Sequence, residues 1–247
     1  AAILNLNIHI VDTNTTGIGI CPHSLTSCLN SLALTGIKPV AVLDVHIGGF
    51  ISRNWKEVHE LCESNQILYL EDSAQAFGAY TSCGKPAGSL GHMAIHSFHL
   101  TKVLTAGEGG VIISPERDKD HLERLRQFGV SKKDNTVFQD INLNSKMSEF
   151  TAAFGLRNLQ NTNNNIAKRR SIMKMYKTLL NKGKYITYDD ELINSVSSAY
   201  KTIVRVPDSS RYDRISKISD LIPLTGFVYK RPLSLQPVVT NHRGTRR

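Results

Sequence analysis

Short aliphatic runs alternate with amphipathic segments through the first half of the chain. That alternation limits the possible folds more than any other feature. "KPVAVLDVH" (38–46) is valine-rich and suits a strand buried on both faces. "NWKEVHELCESN" (54–65) places Trp55, Val58, Leu61 and Cys62 at helical spacing. "QILYLED" (66–72) reads as a second buried strand that ends in acids. "HMAIHSF" (92–98) and "GGVIIS" (109–114) are two more strands. "SPERDKDHLERLRQFG" (114–129) predicts a helix capped by Ser114, with Pro115 in its first turn and Gly129 at its exit. Strand and helix in turn predict an α/β unit with a mostly parallel sheet.

After about residue 145 the texture changes. Residues 145–183 read as one long helix or two stacked ones, interrupted near Asn161–Asn165. A strand over 199–207 and a short helix near 211–221 follow. The organisation expected is therefore a large α/β domain over 1–145, then linking helices and part of a smaller α+β domain over 146–247. At 247 residues the chain is long enough for either one large domain or two smaller ones.

Charge and cysteine use exclude little but bound the setting. Formal net charge is +9, drawn from residues 168–184 and from the ending "NHRGTRR". Such a surplus fits a nucleic-acid partner, an anionic small substrate, or simply a solvated helix face; the last is the economical reading. No aromatic-interleaved basic patch or helix-turn-helix pattern supports nucleic acid. Cys21, Cys28, Cys62 and Cys83 show no CxxC spacing and read as reduced thiols of a cytoplasmic protein. No apolar run reaches the roughly 18–20 residues that span a bilayer.

In a parallel α/β sheet, ligands bind beyond the carboxyl ends of the strands. Asp72 ends one strand and Ser97 another, and Lys102 lies in the loop after Ser97. An acid, a hydroxyl and a lysine thus share one rim. Lys102 is either an exposed loop charge or an amine that attacks a carbonyl. Asp72 is either a functional acid or the N-cap of a helix over "SAQAFGA". "GSLG" (88–91) and "GEGG" (107–110) bracket the lysine, but no GxxxxGK[ST], HExxH or GxSxG motif is present. His92, His96 and His99 suit packing and local hydrogen bonds better than a metal.

Taken in order, "EDSAQAFGA", "GSLG", "SFHLTK", "GEGG" and "NSKMSEFTAAFGLRNL" resemble the DegT/DnrJ/StrS family of pyridoxal-phosphate-dependent sugar aminotransferases. The resemblance runs from about Val11 to Leu180, and more faintly to "KRPLSLQP" (230–237). It implies the aspartate-aminotransferase-like fold, fold type I, and pyridoxal 5'-phosphate as cofactor. Lys102 matches the lysine that forms the internal aldimine. Asp72 matches the acid paired with the ring nitrogen, and Gln75 the residue beside the ring. Ser97 matches the hydroxyl on the cofactor phosphate. Asn144 and Lys146 match a loop that reaches across a homodimer to the neighbouring cofactor, with lysine where arginine is usual. That exchange keeps the charge and loses the bidentate fork.

The implied reaction converts a keto-sugar on a nucleoside diphosphate to an amino-sugar, with glutamate or glutamine as donor. It points to cytoplasmic synthesis of sugars for cell-surface polysaccharide, with no membrane span. A dehydratase branch of the family carries histidine in place of the lysine, so Lys102 argues against it. Family members are longer than this chain, and a phosphate-cradling turn before Ala1 is missing. A truncated or inactive scaffold with a binding or regulatory role is therefore the alternative expectation.

Overall fold

The computed structural model describes residues 4, 6–180, 186–187, 195–205 and 233–237. The expected helix near 211–221 and the basic ending fall outside them.

Among the described residues the main sheet has four strands: β1 (Ala41–Val45), β2 (Leu68–Asp72), β4 (Met93–Ser97) and β5 (Gly110–Ile113), side by side in that order. β3 (Tyr80–Thr81) pairs antiparallel with β7 (Ser195–Val196) elsewhere, and β6 (Ile186–Thr187) with β8 (Val204–Arg205). In the main sheet β1, β2 and β4 are parallel, and β5 runs antiparallel to β4. The register sets Val45 beside Asp72 and Asp72 beside Ile95. All three parallel strands therefore end at one rim.

Helices α1 (Pro22–Leu34) and α2 (Trp55–Ser64) cover one face of this sheet. α1 starts on Pro22, whose fixed φ suits a first helical turn. Its Leu25 belongs to one buried core with Val58 and Cys62 of α2, Val42 and Tyr69 of the sheet, and Ile20, Ile51, Ile67 and Leu90 of the loops. The opposite face is open. Leu43 and Ile112 are each more than half exposed (56% and 54%), and Leu68 and Ile95 nearly so. The alternating burial of β1 and β2 thus corrects the expectation of strands buried on both faces. Among the described residues, helices lie over one side only.

Two further expectations change. Ser114 caps no helix: its Oγ donates to the Pro115 carbonyl, and α3 (Lys119–Arg126) starts later, after a short 3₁₀ turn at Glu116–Asp118. "SAQAFGA" is not helical but two consecutive turns, closed by Ala76 N–H on the Ser73 carbonyl and Ala79 N–H on the Ala76 carbonyl. The asparagine-rich break is real: α4 (Glu149–Leu159) ends just before α5 (Thr162–Leu180). Ser148 caps α4 by accepting from Thr151 N–H.

The two long helices are stitched to the first half. Asn158 Nδ2 donates to the Thr105 carbonyl at 2.9 Å. Arg170 bridges two distant loops, donating from Nε to the Ser197 carbonyl and from Nη2 to the Gly78 carbonyl. Met173 joins Ile18, Phe50 and Ala199 in a second small core.

Candidate active site

The rim is built on the ends of β2 and β4. Asp72 and Ser97 project to the open face of the sheet, on the same side as Ile95 and Ile112. Asp72 Oδ1 accepts the Ala74 amide at 3.1 Å. That is an Asx turn, which competes with a helix and accounts for the turns that follow. Oδ2 has no hydrogen-bond partner among the described residues. Ser97 Oγ accepts the His99 amide at 3.3 Å, leaving its own hydrogen to donate.

Lys102 follows Ser97 in a turn closed by its own amide on the His99 carbonyl. Among the described residues its Nζ makes no ion pair or hydrogen bond. It lies 5.2 Å from the centroid of the Tyr200 ring instead. The histidines serve local bonds: His92 Nδ1 accepts the Tyr69 amide, and His99 Nδ1 meets the Thr101 hydroxyl.

Gln75 does not stand on a helix beside Asp72. Its Oε1 accepts the Gly48 amide at 2.8 Å, which ties the turn after β2 to the turn after β1. Asn144 and Lys146 are exposed and bonded locally. Asn144 Oδ1 accepts the Lys146 amide, and Lys146 Nζ lies 4.0 Å from Glu149. Neither touches Asp72, Ser97 or Lys102 among the described residues.

Behind the rim, on the helix side of the sheet, lies a buried polar cluster that sequence reading missed. His46 and Glu71 are fully buried and 3.0 Å apart. His46 Nδ1 accepts the Ser52 amide, so Nε2 is the nitrogen that donates to Glu71. Glu71 also accepts the amides of Gly88, Leu90 and Gly91 at 2.6–2.8 Å. Burial pushes its carboxyl up, but the His46 bond and the Gly88 and Gly91 amides prevail and hold it below the ordinary carboxylate value. His96, next to it, is held below the ordinary imidazole value chiefly by burial. Gly88 must be glycine: its φ is +92°, and a Cβ there would come within 2.6 Å of His96 Nε2.

This donor set fits a phosphorylated pyridine aldehyde. Asp72 offers an acceptor oxygen to a ring N–H, Lys102 an unpaired amine to a carbonyl carbon, and Ser97 a hydroxyl hydrogen to an anion. No described helix is long and apolar enough to cross a membrane.

Comparison with known proteins gives the same direction. The model of the DegT/DnrJ/EryC1/StrS aminotransferase family matches residues 1–247. The chain is 28% identical over 209 residues to GDP-perosamine synthase of Caulobacter vibrioides, covering 83% of this chain and 56% of that protein. It is 28% identical over 185 residues to dTDP-4-amino-4,6-dideoxy-D-glucose transaminase of Shigella dysenteriae, covering 64% of this chain and 49% of that one. A DegT DnrJ EryC1 StrS aminotransferase structure from Brucella abortus superposes with a TM-score of 0.83 at 20% identity, over 94% of this chain and 61% of that one. The fold is thus the aspartate-aminotransferase-like fold, fold type I, and the chain spans about half to three fifths of the length of these relatives.

Proposed function

Because the chain belongs to the DegT/DnrJ/EryC1/StrS aminotransferase family, we propose that it serves pyridoxal-phosphate-dependent amination of a nucleotide-linked keto-sugar. The observation that carries this reading is the rim itself: Asp72 and Ser97 at the ends of neighbouring strands, with Lys102 unneutralised in the loop that follows.

Pyridoxal phosphate supplies an electron sink that lets a C–H bond beside an amine nitrogen break and re-form. The chain's own residues do the rest. Lys102 Nζ would hold the cofactor at its aldehyde carbon. As a free amine, Nζ would take a proton from the α-carbon of the donor, glutamate or glutamine, and return it one position away. Asp72 Oδ2 would accept the ring N–H and keep that proton in place. Ser97 Oγ would donate to a phosphate oxygen. Gln75, which holds the Gly48 turn by accepting its amide, would lie beside the ring.

Asn144 and Lys146, exposed and away from this rim, suit contacts to the site of a second subunit in a homodimer. A basic surplus of +9 suits the nucleoside diphosphate. The same reading divides the chain into a cofactor-binding unit over 1–145 and a linking and small-domain unit over 146–247. It sets the reaction in the cytoplasm, supplying cell-surface polysaccharide.

Borohydride reduction of the chain mixed with pyridoxal phosphate tests the reading. A stable mass addition is expected on the Lys102 peptide, absent in Lys102→Ala. A folded chain with no addition at Lys102 would sink it.

A further inference from the structure

The segment 195–201 lies nearly a hundred residues after Lys102, yet it crosses the same rim. Its backbone is fixed to the turn after β1: Ser198 N–H donates to the Gly49 carbonyl at 2.9 Å and Lys201 N–H to the Gly48 carbonyl at 3.0 Å. Ser197 Oγ donates to the Gly49 carbonyl and accepts the Ala199 amide. Ser198 Oγ donates to the Gln75 carbonyl, so the segment is also tied to the turn after Asp72. Gly49 has φ +95°, and a Cβ there would come within 2.9 Å of Tyr200 N. The close approach therefore needs glycine.

Ala199 sits in the left-handed region at φ 54°. A non-glycine residue there is strained and persists only where its surroundings impose it. The residue that this bend delivers is Tyr200. Its ring centroid is 5.2 Å from Lys102 Nζ, and its hydroxyl is 3.4 Å from the Thr101 hydroxyl, one residue before the lysine. Lys201 Nζ lies at the same 5.2 Å from the ring.

We infer that Tyr200 is a positioning residue for Lys102: its ring holds the resting ammonium at the rim and off the Asp72 carboxylate, until the nitrogen sheds its proton to meet an aldehyde. An ion pair with Asp72 would occupy both groups that the proposed chemistry needs. An aromatic face attracts the ammonium through its quadrupole and accepts no directional hydrogen bond from it. The nitrogen is placed without being engaged. This inference rests on the reading of Lys102 as the cofactor-binding amine.

Timed borohydride quenching at limiting pyridoxal phosphate tests it, with Lys102 modification measured by peptide mass. Tyr200→Phe should label at the rate of the unsubstituted chain, and Tyr200→Leu about two- to five-fold faster, because the contact stabilises the ammonium, which must give its proton to solvent before it attacks; that is the range expected for loss of an accessible cation–π contact. Progressively fluorinated phenylalanines at 200 keep the shape while draining the ring face. They should quicken labelling in step with fluorination, whether or not Tyr200→Leu folds. Before any cofactor is added, the ε-methylene protons of Lys102 should show an upfield ring-current shift that Tyr200→Phe retains. Equal rates across the fluorinated series, or no ring-current shift, would overturn the role of Tyr200 while Lys102 labelling stands. An unsubstituted chain that never labels at Lys102 would instead defeat the proposed function, and this inference with it.

Discussion

Position 66 carries glutamine where the backbone asks for glycine. It follows α2 with φ 55°. Its amide donates to the Glu63 carbonyl, and the Ile67 amide donates to the Cys62 carbonyl. These two bonds form a Schellman motif, whose left-handed residue is usually glycine. The side chain is exposed, so replacing it removes no packing. Gln66→Gly should raise stability by about 1 kcal/mol by relieving the left-handed strain, read as a higher urea midpoint at unchanged slope. Ile51 stands at the other extreme, fully buried in the main core. Ile51→Ala should cost about 2–5 kcal/mol, measured in the same way.

At the scale of elements, Glu71 ties β2 to the turn at 88–91 and, through His46, to the turn after β1. Glu71→Ala would leave the buried Gly88 and Leu90 amides, the half-buried Gly91 amide and the His46 N–H without an acceptor. Equilibrium unfolding should show a loss of about 3–5 kcal/mol, as for other broken buried pairs. The strands of this sheet were legible in the sequence because each is a short aliphatic run ended by polar residues. So were α2, whose apolar residues share one face, and the break before α5. The "SAQAFGA" segment was misread because helical spacing cannot register a competing Asx turn at Asp72. It cannot register the left-handed Gly78 either. Asp72, Ser97 and Lys102 could be placed on one rim because local strand ends determine their positions. Tyr200 could not, because its place depends on backbone bonds to Gly48 and Gly49, about 150 residues away in sequence. Glu71 was hidden for a different reason: its partners are amides, which carry no side-chain signature.

For the molecule as a whole, buried titratable groups set the response to acid. His96 is held neutral when folded, while the unfolded chain takes up a proton near the ordinary value of 6.5. Its contribution is therefore lost as pH falls below 6.5 toward the lowered native value. Glu71 is ionised when folded, and its contribution is lost as pH falls through the ordinary 4.5 toward its own lower value. Urea midpoints measured against pH should decline in two stages. His96→Gln, which keeps a donor for the Ser73 carbonyl, should remove the first and leave the second.

The open face of the sheet has a calorimetric consequence. Leu43, Leu68, Ile95 and Ile112 already meet water in the folded chain. Unfolding therefore hydrates less new hydrocarbon than it would in a sheet covered on both sides. The heat-capacity increment of unfolding comes mainly from such newly wetted surface, and a chain of this length would ordinarily show about 3–4 kcal/mol/K. Scanning calorimetry should return a smaller increment here, and with it a stability curve flatter in temperature than the chain's length suggests.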